Sequence, residues 1–222
     1  LLTVLADEFA ARNFDIKWML REFALTETYQ RSSLLPADAK EPPPESFAVA
    51  FERALSAEQL MDGMLAATGE RAVLQNQIDE ELREADPKFF DILRANPEML
   101  AGQRNERLAE IRQSFVTAFG NVPRDPEVEF SPTVKASLFL MNEQTVLGWL
   151  DRKPGNLVDR LAKMTDYSKL ANELYLSVMS RLPSDEERIE VAKFLTKRKD
   201  NRDKAIGHLA WALLASTEFR LN

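Results

Sequence analysis

The chain has 222 residues, 29 Lys or Arg against 36 Asp or Glu for a formal charge of −7, 45% hydrophobic residues and no cysteine. This length supports a buried core as one domain or two small lobes, and the acidic balance repels nucleic acid and anionic membranes. The lack of cysteine excludes disulfides, thiolate metal sites, covalent haem attachment and cysteine nucleophiles.

Seven glycines among many Ala, Leu, Glu and Arg, with few β-branched runs, point to helix throughout. Leu2, Leu5, Ala6 and Phe9 share one helical face that ends near Arg12-Asn13. Asp15 then caps a second helix bearing Ile16, Met19, Leu20, Phe23 and Ala24, with Trp18 toward the edge of that stripe. The short connection makes an antiparallel or steeply crossing pair. The segment Leu35 to Ser46, LPADAKEPPPES, holds four prolines and reads as a stiff, extended surface connector. Ser56 and Gln59 form a capping box for a helix that turns Leu60, Met64, Leu65 and Ala67 inward and stops at Gly69. Glu70 to Gln113 is densely charged, with new helix starts at Asp86-Pro87 and near Pro97. Leu108, Ile111, Phe115 and Phe119 mark an amphipathic helix ending at Gly120.

Asn121 to Phe130 is an extended two-proline linker into the most apolar stretch, Ser131 to Leu150. There Ser131 caps, Pro132 suits the first turn, and Val134 to Met141 carries Lys135 as its only charge. A helix apolar on every side is expected to stand buried at the centre of a bundle. Asn142 is expected to end it and to cap a short helix through Val146, Leu147 and Trp149. Pro154-Gly155-Asn156 turns the chain into Leu157 to Met164, and Asp166 opens a helix with Leu170, Leu174, Tyr175 and Val178 inward. A second capping box, Ser184 with Glu187, precedes Ile189, Val191, Ala192 and Leu195, and a last helix near Asp203 to Ser216 buries Ile206, Leu209, Ala210 and Leu213. The expected fold is all-α, one domain over 1–222, an irregular bundle of about eight to eleven helices around a central buried helix.

Chemistry-bearing patterns are sparse. His208 is the only histidine, and Ala205 stands where a Glu-x-x-His metal pair would need its acid. Asp79-Glu80-Glu81 reads as a solvated face, and Asp185-Glu186-Glu187 as acids complementing a helix N-terminus. Lys197-Arg198-Lys199 with Arg202 and Lys204 reads as favourable charge around a helix end and turn, not a nucleic-acid patch. No cofactor or metal is expected. Ala205 to Thr217 falls short of the roughly 20 apolar residues that a membrane crossing takes. The opening Leu1-Leu2, already inside a helical pattern, implies a piece of a longer protein.

Five stretches together resemble a known family: Phe14 to Ser33, Arg53 to Gly69, Phe130 to Leu150, Leu174 to Leu195 and Ala205 to Asn222. In this order, over nearly the whole chain, they are similar to the domain of unknown function 1553, the C-terminal domain of large exported proteins abundant in planctomycetes. The resemblance implies a companion domain just upstream (domain of unknown function 1549), export to the periplasm or cell surface, and, in some relatives, a cytochrome-like domain or carbohydrate- and adhesion-type modules. It brings no established activity or catalytic residue. Residues 70–121 match less well and look like a charged helical insert or subdomain.

Two functions follow as expectations. One is a non-catalytic scaffold or interaction module packing on the upstream domain and positioning a cytochrome or polysaccharide partner; it implies an apolar patch around the first helix. The other is part of an enzyme acting on extracellular polymers, its site shared with the upstream domain. Its raw material is the polar set Tyr29, Arg31, Arg53, Asp62 and Asn142 within the family-like stretches.

Overall fold

The structure is a computed structural model and describes residues 1–31, 33, 35, 38–40, 42–43, 46, 48–50, 54–120 and 134–221. Apart from one isolated antiparallel bridge between Ala54 and Leu221, regular structure among these residues is helical, with fourteen α-helices and short 3₁₀ turns. The chain is all-α, as its composition implies. The helix count exceeds the expected eight to eleven, and the four-residue helix Thr217–Arg220 is too short to carry a readable periodicity. Contacts divide the chain into two compact units, Leu1–Glu52 and Arg53–Asn222.

The first unit holds α1 (Leu2–Ala11) and α2 (Ile16–Ala24). Asn13 and Phe14 both take left-handed backbone, φ 53° and 60°, and make the corner between them. For Phe14 that costs about 1–2 kcal/mol. Its ring meets Phe9 edge-on at 5.4 Å and its N–H donates to Phe9 O at 3.0 Å, which offsets the strain. The Asp15 carboxylate accepts from Trp18 N–H, as a cap should. Trp18 leaves the apolar stripe and stacks under the Arg12 guanidinium at 4.7 Å. Most of the proline-rich connector lies outside the described residues.

The second unit runs through α3 (Ala57–Thr68), α4 (Glu70–Ala85), α5 (Pro87–Ala95), α6 (Pro97–Arg107), α7 (Ala109–Phe119) and α8 (Val134–Asn142). It continues through α9 (Gln144–Gly148), α10 (Leu157–Ala162), α11 (Tyr167–Met179), α12 (Asp185–Thr196), α13 (Arg202–Leu214) and α14 (Thr217–Arg220). Both predicted capping boxes form, Ser56 with Gln59 and Ser184 with Glu187. Asp86 and Asn96 cap α5 and α6, each with a proline in the first turn. Gly69, at φ 77°, ends α3 in the left-handed conformation that favours glycine. Within this unit Ala54 pairs with Leu221 through the bridge, and Leu55 N–H donates to Arg220 O at 2.9 Å.

The core centres on α3 and α11, not on α8. Met61, Met64 and Leu65 of α3 interlock with Leu170, Leu174, Phe115, Leu195 and Ile206, all buried. Within α8 only Ala136 and Leu140 are buried, while Val134, Leu138 and Met141 are 76%, 53% and 57% exposed. The helix packs on α7 and α9 along one stripe, where Phe139 meets Phe115 and Phe119, and Trp211 Nε1 donates to Leu140 O. Hydrophobicity on every side was the wrong guide, because one stripe already satisfies this packing. The expected Ser131 cap, Pro132 and the linker 121–130 lie outside the described residues. Asn142 does not cap α9: Glu143 does, and Asn142 Nδ2 donates back to Leu138 O at 2.8 Å. Ile189 is another departure, exposed where Val191 and Leu195 are buried.

In the charged middle, Ile78, Leu82, Phe90, Leu93 and Leu108 form a second small core, and Leu74 and Ile111 pack against both cores. Arg104 grips Asp79 with two hydrogen bonds, 2.9 and 2.6 Å, so part of the acidic run is paired with α6.

Candidate interaction surface and pockets

The apolar residues of α2 recur at Ile16, Leu20 and Phe23, one face of a helix, and all three are exposed; on α1, Leu2 and Val4 are exposed as well. Neither helix buries a single residue. Lys17, Arg21 and Glu22 take the polar side. An amphipathic helix whose apolar face stays in water is the usual mark of an interaction surface.

A buried polar junction organises the second unit. The loop after α9 ends at Asn156, the cap of α10, whose side chain uses all its capacity. Oδ1 accepts from Asp159 N–H at 3.0 Å and Lys153 N–H at 3.3 Å, while Nδ2 donates to Asp151 O at 2.7 Å and Glu70 Oε1 at 3.1 Å. Glu70, fully buried at the start of α4, also accepts from Lys153 Nζ at 2.7 Å. Gly69 brings α4 close, since a Cβ there would lie 3.6 Å from Asn156 Cα. Asp159 accepts from Lys163, from Gly155 N–H and from Arg152, and these bonds hold its carboxyl well below the usual range. Arg152 continues to Asp203 of α13 at 3.2 Å. These carboxylates are saturated by fixed donors, the arrangement of a structural joint.

A second network surrounds Arg181. It donates two bonds to Glu187, both 2.8 Å, and two to Glu218, 2.5 and 2.9 Å, and lies 5.3 Å from the Tyr175 ring centre. Its hydrogen bonds pull the Glu187 carboxyl down to about 2, and lower Glu218 too. Two members of the basic cluster are engaged locally, while Lys197, Lys199 and Lys204 are exposed. Arg202 donates to Met164 O and faces Tyr167, and Arg198 stacks on Phe194 at 3.8 Å.

Two concavities among the described residues stand out. A groove of about 440 Å³ runs between α9 and α13 over Leu147, Leu150 and Trp211, with Asp151, Lys204 and His208 at its rim. Gly207 forms its wall because a Cβ there would come within 2.6 Å of Leu150 O. His208 is exposed, and no cluster of three metal-ligating side chains forms among the described residues. The other is a small pocket of about 130 Å³ where Asp62, Arg71, Arg104 and Arg112 converge.

The five sequence-derived candidates are placed as follows. Tyr29 is exposed in the first unit just after α2, with Arg31 two residues on. Arg53 lies outside the described residues. Asp62 lines the small pocket, paired with Arg71 at 2.8 Å. Asn142 closes α8 and lines neither concavity. Nothing in the sequence pattern marks Glu70 or Asp159, whose partners come from distant segments. The Pro-Gly-Asn turn was the available clue.

Comparison with known proteins gives one match. The profile of a family described as "PSD1: Protein of unknown function (DUF1553)" matches residues 1–195. No curated protein and no solved structure matches.

Proposed function

Because the chain belongs to the PSD1 (DUF1553) family, we propose that it is a non-catalytic docking module of an exported multidomain protein. It packs on a companion domain upstream through the apolar face of α1 and α2. One observation carries this reading: Ile16, Leu20 and Phe23 of α2 are 65%, 61% and 41% exposed on one side of a nine-residue helix. So short a helix gains its stability mainly from burying such a face. Full burial is worth about 1.5–3 kcal/mol per side chain, so even half of it for three residues contributes of order 3 kcal/mol to an interface.

The non-catalytic half of the proposal is supported by the engagement of three acids, the buried Glu70 and Asp159 and the half-buried Glu187. Glu70, Asp159 and Glu187 each hold fixed partners, and the single histidine, His208, is exposed. Of the five residues the enzyme alternative draws on, Tyr29, Arg31, Arg53, Asp62 and Asn142, Asp62 and Asn142 are engaged in hydrogen bonds within the second unit. A paired substitution tests the docking face. Leu20→Lys with Phe23→Ser should abolish capture of the companion domain and leave the chain's own Tm within about 2 °C, as expected of surface changes. Retained capture, or a Tm loss of many degrees, contradicts the proposal.

A further inference from the structure

The small pocket is lined by three arginines from three helices, Arg71 of α4, Arg104 of α6 and Arg112 of α7, together with Asp62 of α3. Bringing like charges into one concavity is unfavourable unless each is compensated. Two are: Arg71 donates to Asp62 at 2.8 Å, and Arg104 is held by Asp79 through two bonds. Arg112 is half-buried and makes no side-chain hydrogen bond or ion pair among the described residues. Among the described residues Arg112 has no carboxylate within ion-pair distance, so its charge is the one left open to a ligand. Arg71 uses a single nitrogen in its bonds to Asp62, so its remaining N–H donors are uncommitted, and the Asn105 amide stands beside them.

We propose that this pocket is a binding site for a small oxyanion, of the size and charge of phosphate or sulfate, with Arg112 as its principal ligand. A volume of about 130 Å³ has ample room for one tetrahedral oxyanion or one terminal phosphoryl group. The planar fork of Arg112 suits two-pronged contact with such a group. Asp62 acts as a positioning residue: it fixes Arg71, which offers its remaining donors, and supplies the negative edge that disfavours bulky polyanions. This site is independent of the docking face, so each stands or falls alone.

The test is titration of the whole 222-residue chain with inorganic phosphate at constant ionic strength balanced by chloride, followed by NMR of arginine Nε–H and backbone amides. Saturable shifts are expected at Arg71, Arg104 and Arg112, with sulfate competing. Arg112→Gln should bind phosphate at least about tenfold more weakly, the loss expected for a charge-assisted contact, with an unchanged Tm in its absence. Arg112→Lys keeps the charge, loses the fork, and should fall between the two. Equal binding of phenyl phosphate would identify the terminal group of a larger ligand, and weaker binding a free anion. Shifts reproduced by chloride alone, the absence of saturation, or unchanged affinity in either Arg112 variant overturns the proposal.

Discussion

Replacing Asn156 by alanine should unlock the second unit. The side chain is fully buried and makes four hydrogen bonds, two of which dominate the cost. Losing the cap of α10 removes about 0.5–2 kcal/mol. Losing the donor to Glu70 removes a charge-assisted bond worth about 1.5–3 kcal/mol and leaves a buried carboxylate with Lys153 alone. Together they come to about 2–5 kcal/mol, which for a unit of this size lowers Tm by roughly 4–20 °C. Thermal and urea unfolding followed by circular dichroism at neutral pH measure it. Glu70→Gln should cost less in the Asn156→Ala background than alone, because the two residues act as one network. A Tm change below about 3 °C, or additive costs, would refute the junction as the lock between α4 and α10.

The acid side of the stability profile should report the Arg181 network. Glu187 is held at about 2 against an ordinary value of 4.5, so its contribution is fully present above about pH 4.5 and is lost as pH falls towards 2. Arg181→Met should flatten urea midpoints across that window; a slope unchanged from wild type contradicts the assignment. The placement of the core away from α8 is tested by a contrast. Leu138→Lys should change stability by less than about 0.5 kcal/mol, while Leu174→Ala on α11 should cost about 2–5 kcal/mol. Similar costs for both would restore α8 to the centre.

Helix boundaries were readable wherever local chemistry sets them. Ser56 with Gln59, Ser184 with Glu187, Asp15, Asp86 before Pro87, and Gly69 each act on backbone within a few residues, and each does what its type implies. Burial was less legible, because it depends on neighbours that no local pattern names. Val134, Leu138 and Met141 look like core and are exposed, while Glu70 looks like surface and is fully buried. Its bonding partners, Lys153 and Asn156, are 83 and 86 residues away in the chain. Periodicity shows which side of α2 is apolar but says nothing of whether that side is covered. Asp62 was singled out by resemblance alone; the arginines around it come from α4, α6 and α7, whose convergence only the fold produces.

Size-exclusion chromatography of this chain co-expressed with its upstream companion domain, as two separate polypeptides, bears most directly on the docking role. The α1–α2 face predicts one stable peak containing both, which Leu20→Lys with Phe23→Ser splits in two. Two independent, monodisperse peaks from the wild-type pair would contradict it.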